Sequence, residues 1–379
     1  MDEWTIKAAL DWTVGYLGRK GDENPRLMAE RLLSAACDMP RIQLYVNFDR
    51  VLTPQERELL RGYVTRRGAG EPLQYITGEA PFRHITVKVA PGVLIPRPET
   101  EVLVSEALAM LPPAPKRIAF DSTIDAWEGD LLKAVQEETS AAESLANQAE
   151  NAAEDRLEKR FDAPIGARVE DDGPQASPQL GDPSMPSDEP SKEEAPKMPL
   201  LVVDLCTGSG CIAAAMAYER PDIRVFATDV SPCAVALAKD NIERCGVADR
   251  VRIAQCHLGD GVPPAAMGRL DLVVSNPPYV PSEVVEGLSE EVRSFEPRLA
   301  LDGGADGLDL FRQIAPWAAA ALKPGGGLAC ELFEGHMEQA SDIARKAGLE
   351  EVRIVEDLAG RPRVLTARKP ASQDEEASL

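Results

Sequence analysis

Short apolar segments alternate with helical segments from about residue 199 onward, and this alternation restricts the fold more than any other feature. The strand-like segments LLVVDLC, IRVFATD, VRIAQC, LDLVVSN and GLACELF are interspersed with predicted helices near 211–220, 233–245 and 309–322. Strands that are apolar throughout are typical of parallel sheets covered by helices on both faces. The pattern predicts an α/β domain with a mostly parallel seven-stranded sheet, in which EEVRIVEDLAGRPRVLTARK forms an antiparallel hairpin at the edge.

Two smaller regions precede this domain. Residues 1–75 carry apolar residues at helical spacing, and Thr53-Pro54-Gln55-Glu56 reads as the capped start of a helix, so a small all-helical domain is predicted. Residues 76–95 alternate apolar with polar side chains before Pro91-Gly92, which predicts a β-hairpin linker. The main domain then spans 96–370 and is followed by a flexible tail at 371–379.

An acidic insertion interrupts the main domain at about 113–198. Residues 121–197 hold 20 acidic and 7 basic residues, so more than half of the net charge of −22 lies there. Such a composition has too little apolar surface to offset its ordering entropy, which predicts a solvated spacer; a tail that docks a partner is the alternative. The charge argues against a broad nucleic-acid surface, although most of it belongs to the insertion.

Composition also limits the cellular setting. No apolar run approaches the roughly 20 residues of a membrane span, and the N-terminus MDEWTIKAALDW lacks the apolar core of a signal peptide. The seven cysteines include no CxxC pair, and there are three histidines. We therefore expect a cytoplasmic protein with reduced thiols, no metal site and no membrane contact, and we expect a monomer.

A glycine-rich loop follows the first strand of the main domain and opens a helix. Its glycines allow a tight turn and close approach of a ligand, and the helix start offers free N–H groups. Asp229, at the end of the next strand, can accept hydrogen bonds from ribose hydroxyls. The loop alone fits NAD and S-adenosylmethionine equally well. The candidate cofactor residues are Asp204, Cys206, Thr207, Gly208, Ser209, Gly210 and Asp229, with Asp260 and Gly261 near an adenine.

The tetrapeptide Asn276-Pro277-Pro278-Tyr279 distinguishes between NAD and S-adenosylmethionine as the cofactor. It follows the strand LDLVVS, so it should face the same crevice as the glycine loop. The Asn276 side-chain oxygen and the Pro277 carbonyl can each accept one N–H of a planar NH₂ group, and Tyr279 offers an aromatic face. Consecutive prolines stiffen the backbone that holds the carbonyl. Hydride transfer needs no such clamp, so these four candidate catalytic residues predict methylation of an amide or amino nitrogen.

With these motifs, the chain resembles a known family, the protein-glutamine methyltransferases of the PrmC/HemK type. The resemblance rests on EPLQYITGEAPF, GVLIPRPETEVLV, DLCTGSG, SNPPYV and EPRLALDGGADGLDLFRQI, and covers about residues 1–112 and 199–370. It implies a Rossmann-like class I methyltransferase domain, a hairpin linker and a helical N-terminal domain that helps engage the substrate. That substrate would be the glutamine of the Gly-Gly-Gln motif in peptide-chain release factors, with S-adenosylmethionine as the cofactor.

The resemblance also implies residue roles. It places the cofactor loop at Cys206–Gly210, the ribose acid at Asp229, the adenine contact around Asp260-Gly261, and Asn276 beside both cofactor and substrate. Three features depart from the family: Cys206 where glycine is common, Gly261 where a large apolar residue is common, and the insertion. Methylation of a ribosomal-protein glutamine remains an alternative, as does methylation of an adenine amino group in nucleic acid.

Overall fold

A computed structural model describes residues 4–114 and 198–371, so the acidic insertion and the C-terminal tail lie almost entirely outside the described residues. The N-terminal domain consists of five helices. They are α1 (Ile6–Arg19), α2 (Pro25–Ala36), α3 (Arg41–Val46), α4 (Pro54–Gly68) and α5 (Leu73–Thr77).

The start of α4 has the helix cap that the sequence predicts. Thr53 accepts a hydrogen bond from the Glu56 backbone N–H at 3.2 Å, and the Thr53 N–H donates to the Glu56 carboxylate at 2.7 Å. This capping box satisfies two otherwise unpaired donors, a contribution of about 1 kcal/mol for such a cap. The helices then bury one apolar core between them, which includes Ile6, Leu10, Leu17, Leu32, Leu33 and Leu44.

A β-hairpin connects this domain to the main domain, as predicted. Strands β1 (Glu79–Phe82) and β2 (Ile85–Lys88) pair antiparallel as a two-stranded sheet. Alternate residues of each strand are buried, and Phe82 and Val87 belong to the core of the main domain. The alternation of apolar and polar residues in the sequence therefore predicts which face of the hairpin packs against the main domain.

The main domain is built on a seven-stranded sheet in the order β5-β4-β3-β6-β7-β9-β8. Neighbouring strands from β5 to β7 are parallel, whereas β9 runs antiparallel to both β7 and β8. The predicted closing hairpin is confirmed, with β8 at the edge. The strands are β3 (Leu200–Leu205), β4 (Ile223–Asp229), β5 (Val251–Gln255), β6 (Leu270–Ser275), β7 (Leu322–Glu331), β8 (Glu350–Glu356) and β9 (Pro362–Arg368).

Within residues 4–114 and 198–371, seven further α-helices accompany the sheet, and three of them match the predicted ranges. No helix in the described parts of the chain is long and apolar enough to cross a membrane. The helices are α6 (Thr100–Ala109), α7 (Cys211–Glu219), α8 (Pro232–Arg244), α9 (Ser282–Val285), α10 (Glu290–Phe295), α11 (Phe311–Ala321) and α12 (Met337–Lys346).

The topology marks where a ligand can bind. From β3 the chain proceeds to β4 and β5 on one side, and then returns to β6 and β7 on the other. The carboxyl ends of β3 and β6 therefore border a crevice at the switch point of an open parallel sheet. Both the glycine loop and the Asn-Pro-Pro-Tyr segment emerge there.

Candidate active site

The register of β3 against β6 brings the two predicted loops together. Leu205 pairs with Ser275 at the end of the shared ladder, and the Ser275 hydroxyl donates to the Leu205 carbonyl at 2.8 Å. Cys206 and Asn276 are the next residues along each strand. The glycine loop and the tetrapeptide thus begin side by side.

The glycine loop turns through the left-handed region of backbone conformation. Cys206, Gly208 and Gly210 have φ of 60°, 57° and 78°. At Gly210, just before α7, an added Cβ would lie 3.0 Å from the Cβ and 3.1 Å from the Cα of Ala238. Glycine is required there both for φ and for the close approach of α8. Cys206 adopts a conformation that is strained for any side chain, which explains why glycine suits this position.

Asp204 supports the loop from below. Its side chain is fully buried, and Oδ2 accepts hydrogen bonds from the Thr207 hydroxyl at 2.6 Å and from the Ala213 N–H at 3.2 Å. Burial raises the pKa of Asp204 to about 7, against the opposing effect of these two donors. Asp204 does not line the crevice, so it is a structural support for the glycine loop.

Asp229, at the end of β4, lines the crevice beside the loop. One carboxylate oxygen accepts the Gly208 N–H at 2.9 Å, and the other accepts the Ser231 N–H at 2.8 Å. Each oxygen retains a further lone pair. The carboxylate is therefore held in one orientation and can still accept hydrogen bonds from a diol.

Asn241, which the sequence did not single out, joins the loop to the hairpin. Its amide donates to the carbonyls of Ser209 and Lys88, both at 2.9 Å, and its oxygen accepts the Lys88 N–H at 2.7 Å. The residue is fully buried on α8. The hairpin linker is thereby fixed against the back of the glycine loop.

Asn276 shows a defined side-chain orientation. Its amide nitrogen, Nδ2, donates to the Thr100 hydroxyl at 3.0 Å, and both residues line the crevice. Thr100 is the first residue of α6 and is 2% exposed. Because Nδ2 is occupied by Thr100, the side-chain oxygen remains for a ligand. The acceptor role of Asn276 stays a prediction.

Tyr279 takes a different position from the predicted aromatic face. It does not line the crevice; its hydroxyl donates to Glu331 Oε1 at 2.8 Å. Burial, with the nearby Glu331 charge, raises the pKa of Tyr279 well above its usual range. Glu331, at the end of β7, is 1% exposed, and burial raises the pKa of its carboxyl group. Tyr279 therefore anchors the tetrapeptide to the neighbouring strand.

Two glycines allow the following loop to pack on the backbone of the tetrapeptide. An added Cβ at Gly303 would lie 2.7 Å from the Tyr279 Cα, and one at Gly307 would lie 2.1 Å from the Tyr279 carbonyl oxygen. The Val280 N–H also donates to the Leu301 carbonyl at 2.9 Å. The absence of side chains at Gly303 and Gly307, in DGGADG, thus lets this loop pack closely against Pro278 and Tyr279.

The segment after the tetrapeptide is joined to the N-terminal regions by ion pairs. Arg67 on α4 pairs with Glu291 on α10 at 2.9 Å, and Arg97 in the crevice wall pairs with the buried Glu296. Burial raises the pKa of Glu296, and Arg97 opposes this rise. The helical domain therefore contacts α10, the helix that precedes the crevice-lining residues Pro297 and Leu299.

The crevice has a volume of about 330 Å³, and seven of the thirteen predicted site residues line it. Asp204, Gly210, Pro277 and Tyr279 lie behind its wall. Asp260 and Gly261 also lie outside the lining, which is formed there by His257 and Leu258 instead. The predicted residues that line it are Cys206, Thr207, Gly208, Ser209, Asp229, Asn276 and Pro278.

The glycine at 261 has a packing role. An added Cβ would meet the Ala254 Cβ at 2.9 Å and the Cys256 sulfur at 3.0 Å, and the Gly261 N–H donates to that sulfur at 3.2 Å. A large side chain at this position would collide with β5. The packing of Ala254 and Cys256 therefore requires glycine at this position.

The lining fits the chemical parts of S-adenosylmethionine. The carboxylate of Asp229 can accept hydrogen bonds from a ribose. The backbone N–H groups at the start of α7 suit the carboxylate of a methionyl group, and apolar side chains suit an adenine. Leu94, Ile95, Val230, Leu258 and Leu310 supply the apolar wall. The strand order and this crevice define a Rossmann-like class I methyltransferase.

Comparison with known proteins identifies the family. Residues 8–78 match the PrmC N-terminal domain, and residues 194–291 match the methyltransferase small domain. A release factor glutamine methyltransferase from Geobacter sulfurreducens is 36% identical over 96% of this chain and 97% of its own. One from Moorella thermoacetica is 34% identical over 96% and 98%, respectively. The chain belongs to the release factor glutamine methyltransferase family.

Proposed function

We propose that this protein transfers a methyl group from S-adenosylmethionine to the side-chain amide nitrogen of the glutamine in the Gly-Gly-Gln motif of peptide-chain release factors. The observation that carries the proposal is the orientation of Asn276. Its Nδ2 is bound by Thr100, so the acceptor oxygen is left for a substrate N–H. Family membership supports the choice of glutamine among planar NH₂ groups.

The chemistry of an amide explains why positioning matters here. The lone pair of an amide nitrogen is delocalised into the carbonyl group, and its proton is too weakly acidic for an ordinary side-chain base. Two acceptors, Asn276 Oδ1 and the Pro277 carbonyl, can orient the NH₂ group. Positioning of this kind contributes up to roughly 7–11 kcal/mol in favourable intramolecular reactions.

The same acceptors stabilise the transition state. A bound S-adenosylmethionine supplies an electrophilic methyl group. As the substrate nitrogen gains positive charge, its N–H groups become stronger donors to Asn276 and Pro277. Interactions that strengthen between ground state and transition state are those that accelerate a reaction.

We assign the cofactor contacts from the lining of the crevice. Asp229 would accept the ribose hydroxyls, and the backbone of Cys206–Gly210 would approach the methionyl part. His257 and Leu258 would flank the adenine in place of Asp260 and Gly261. We further propose a monomer in the cytoplasm whose helical domain helps engage the release factor, without direct contact to nucleic acid.

Incubation with labelled S-adenosylmethionine and a panel of acceptors tests the proposed function. The panel contains release factor, ribosomal proteins and adenine-containing oligonucleotides, and the Asn276→Ala variant serves as the matched control. We expect label on release factor alone, and only with the wild-type enzyme. Label on a ribosomal-protein glutamine or on adenine, with release factor untouched, would replace the proposal by one of those activities.

A further inference from the structure

The turn 257–261, which follows β5, contains a leucine in a backbone conformation that favours glycine. Leu258 has a φ of 42° and lines the crevice. Two glycines of the same turn, Gly259 and Gly261, could adopt such a φ without strain, yet both have φ values outside the left-handed region. Strain of this kind persists only where the surrounding structure enforces it, and it concentrates at ligand sites.

The thiol of Cys256 holds this turn from the end of β5. It donates to the Leu258 carbonyl at 3.3 Å and accepts the Gly261 N–H at 3.2 Å. A thiol has one proton to donate and a sulfur that accepts, so the side chain of Cys256 uses both capacities on the turn. Burial raises the pKa of Cys256, so the thiol keeps its proton. The Cys256 backbone N–H also donates to the Asp229 carbonyl at 3.0 Å, which joins the turn to the end of β4.

Trp317 on α11 packs directly against the same turn. An added Cβ at Gly259 would lie 2.0 Å from Cζ2 and 2.1 Å from Cε2 of the indole ring, so only a residue without a side chain allows this approach. Gly261 meets the same kind of limit, because its added Cβ would lie 3.0 Å from Cys256 Sγ. Both glycines therefore serve close packing, while the strained φ belongs to Leu258.

We propose that Cys256 and Trp317 are positioning residues that hold Leu258 in its strained conformation as an apolar contact for the purine ring of the cofactor. This role rests on the proposed binding of S-adenosylmethionine in the crevice. A side chain that is fixed in advance loses little conformational entropy when a ligand binds, which favours affinity. Asp229 lines the same crevice and is joined to the turn, so the proposed ribose and purine contacts share one support.

Substitutions at Cys256 separate this role from general packing. Cys256→Ala removes both hydrogen bonds of the thiol, whereas Cys256→Ser restores a donor and an acceptor with a slightly shorter reach. Cys245→Ala, the same exchange at a half-buried cysteine that does not line the crevice, is the matched control. Two ligands report on the site: S-adenosylhomocysteine, and 5′-methylthioadenosine, which has the purine and the ribose but lacks the amino-acid part.

Calorimetric titration of the full chain measures the dissociation constants of both ligands. For Cys256→Ala we expect affinity to fall about 3- to 10-fold, the range that corresponds to the loss of such hydrogen bonds, and by a similar factor for the two ligands. Cys256→Ser should recover part of this loss, and Cys245→Ala should bind as the wild type does. Wild-type affinity in Cys256→Ala, or a loss confined to S-adenosylhomocysteine, would overturn the proposal.

A double-mutant cycle tests the contact with Trp317. Gly259→Ala drives a methyl group into the indole ring, and we expect it to weaken binding of both ligands at least about fivefold, as overpacking does. In a Trp317→Ala background the same methyl group meets no ring, so it should have almost no further effect. Equal effects of Gly259→Ala in the two backgrounds would show that Trp317 does not support the turn.

A further measurement depends neither on ligand nor on turnover. The Gly261 backbone N–H, followed by nuclear magnetic resonance, should exchange with solvent more slowly in the wild-type protein than in Cys256→Ala. Equal exchange in the two proteins would refute the support by the thiol. If the wild-type protein binds neither ligand, the proposed cofactor and with it the proposed function fail by themselves, and the exchange measurement still decides whether Cys256 holds the turn.

Discussion

The two loops that border the crevice are built in different ways. The glycine loop is shaped by its own backbone: three residues with positive φ, and supports at Asp204, Asp229 and Asn241 that lie in the adjoining strands and helix. The Asn-Pro-Pro-Tyr tetrapeptide depends on distant side chains, because Asn276 is oriented by Thr100, 176 residues away, and Tyr279 by Glu331, 52 residues away. The loops that we propose for cofactor binding and for nitrogen recognition thus have separate structural supports, and variants in the two loops should fail in different ways.

Replacing the acceptor in the tetrapeptide should have the largest effect. Asn276→Ala removes one of the two acceptors that we propose for the substrate N–H groups, and loss of one such group costs about 10²–10³ in kcat in comparable sites. Cofactor affinity should change by less than about threefold, because the loop that would bind the cofactor is formed independently. Steady-state kinetics and calorimetric titration with S-adenosylmethionine check this. A normal kcat at saturating cofactor, combined with weak binding, would show that Asn276 belongs to the cofactor site instead.

A change in the glycine loop should act on stability and cofactor binding. Gly210→Ala introduces a Cβ against Ala238 at a φ of 78°, and strain plus overpacking should lower the free energy of unfolding by roughly 2–4 kcal/mol. Denaturant titration measures this loss, and cofactor affinity should fall with it. Gly246→Ala is the control, because φ is 68° there and nothing lies within 4 Å of the added Cβ. Equal losses for both variants would mean that the contact with Ala238 contributes nothing.

The buried Asp204 predicts a pH dependence that belongs to the loop. Its folded-state pKa is raised to about 7. Between the ordinary pKa of an aspartate, about 4, and this raised value, the folded state therefore still binds a proton that the unfolded state has already released. The wild-type protein should therefore lose stability relative to Asp204→Asn as pH rises, by roughly 2 kcal/mol between pH 5 and pH 7. Unfolding free energies of both proteins across this range test the prediction. A constant difference between them would show that Asp204 is ionised throughout.

The smallest effect is expected at Cys206. Alanine is ordinarily more stable than glycine within folded backbone, but a φ of 60° should reverse that order. Cys206→Gly should exceed Cys206→Ala in unfolding free energy by about 1 kcal/mol. Thermal and denaturant unfolding of the two variants measures the difference. An advantage for alanine would mean that the loop adopts another conformation in solution.

The loop and the sheet were predictable because their determinants are local. Glycines in DLCTGSG, apolar strands and a capping box all act through neighbouring residues, and the structure reproduces their consequences. The fold class, the hairpin linker and the helical domain follow from the same local patterns.

The supports of the tetrapeptide were not predictable in the same way. Glu331 ends an apolar strand and reads as an ordinary strand terminus, and Thr100 reads as part of a helix start. Their proximity to Asn276 follows from the order and register of the strands, which no short segment encodes. The sequence predicted an adenine contact around Asp260-Gly261, and in the structure His257 and Leu258 are the residues of this turn that line the crevice.

We propose that the tetrapeptide recognises the NH₂ group of a glutamine side chain. The most direct measurement is residue-resolved mass spectrometry of a release factor after reaction, together with a matched release factor in which Gly-Gly-Gln is changed to Gly-Gly-Glu. We expect one methyl group on the glutamine side-chain nitrogen and none on the glutamate variant. Methylation of the glutamate variant at the same position, or an unmodified glutamine beside a methylated group elsewhere, would contradict it.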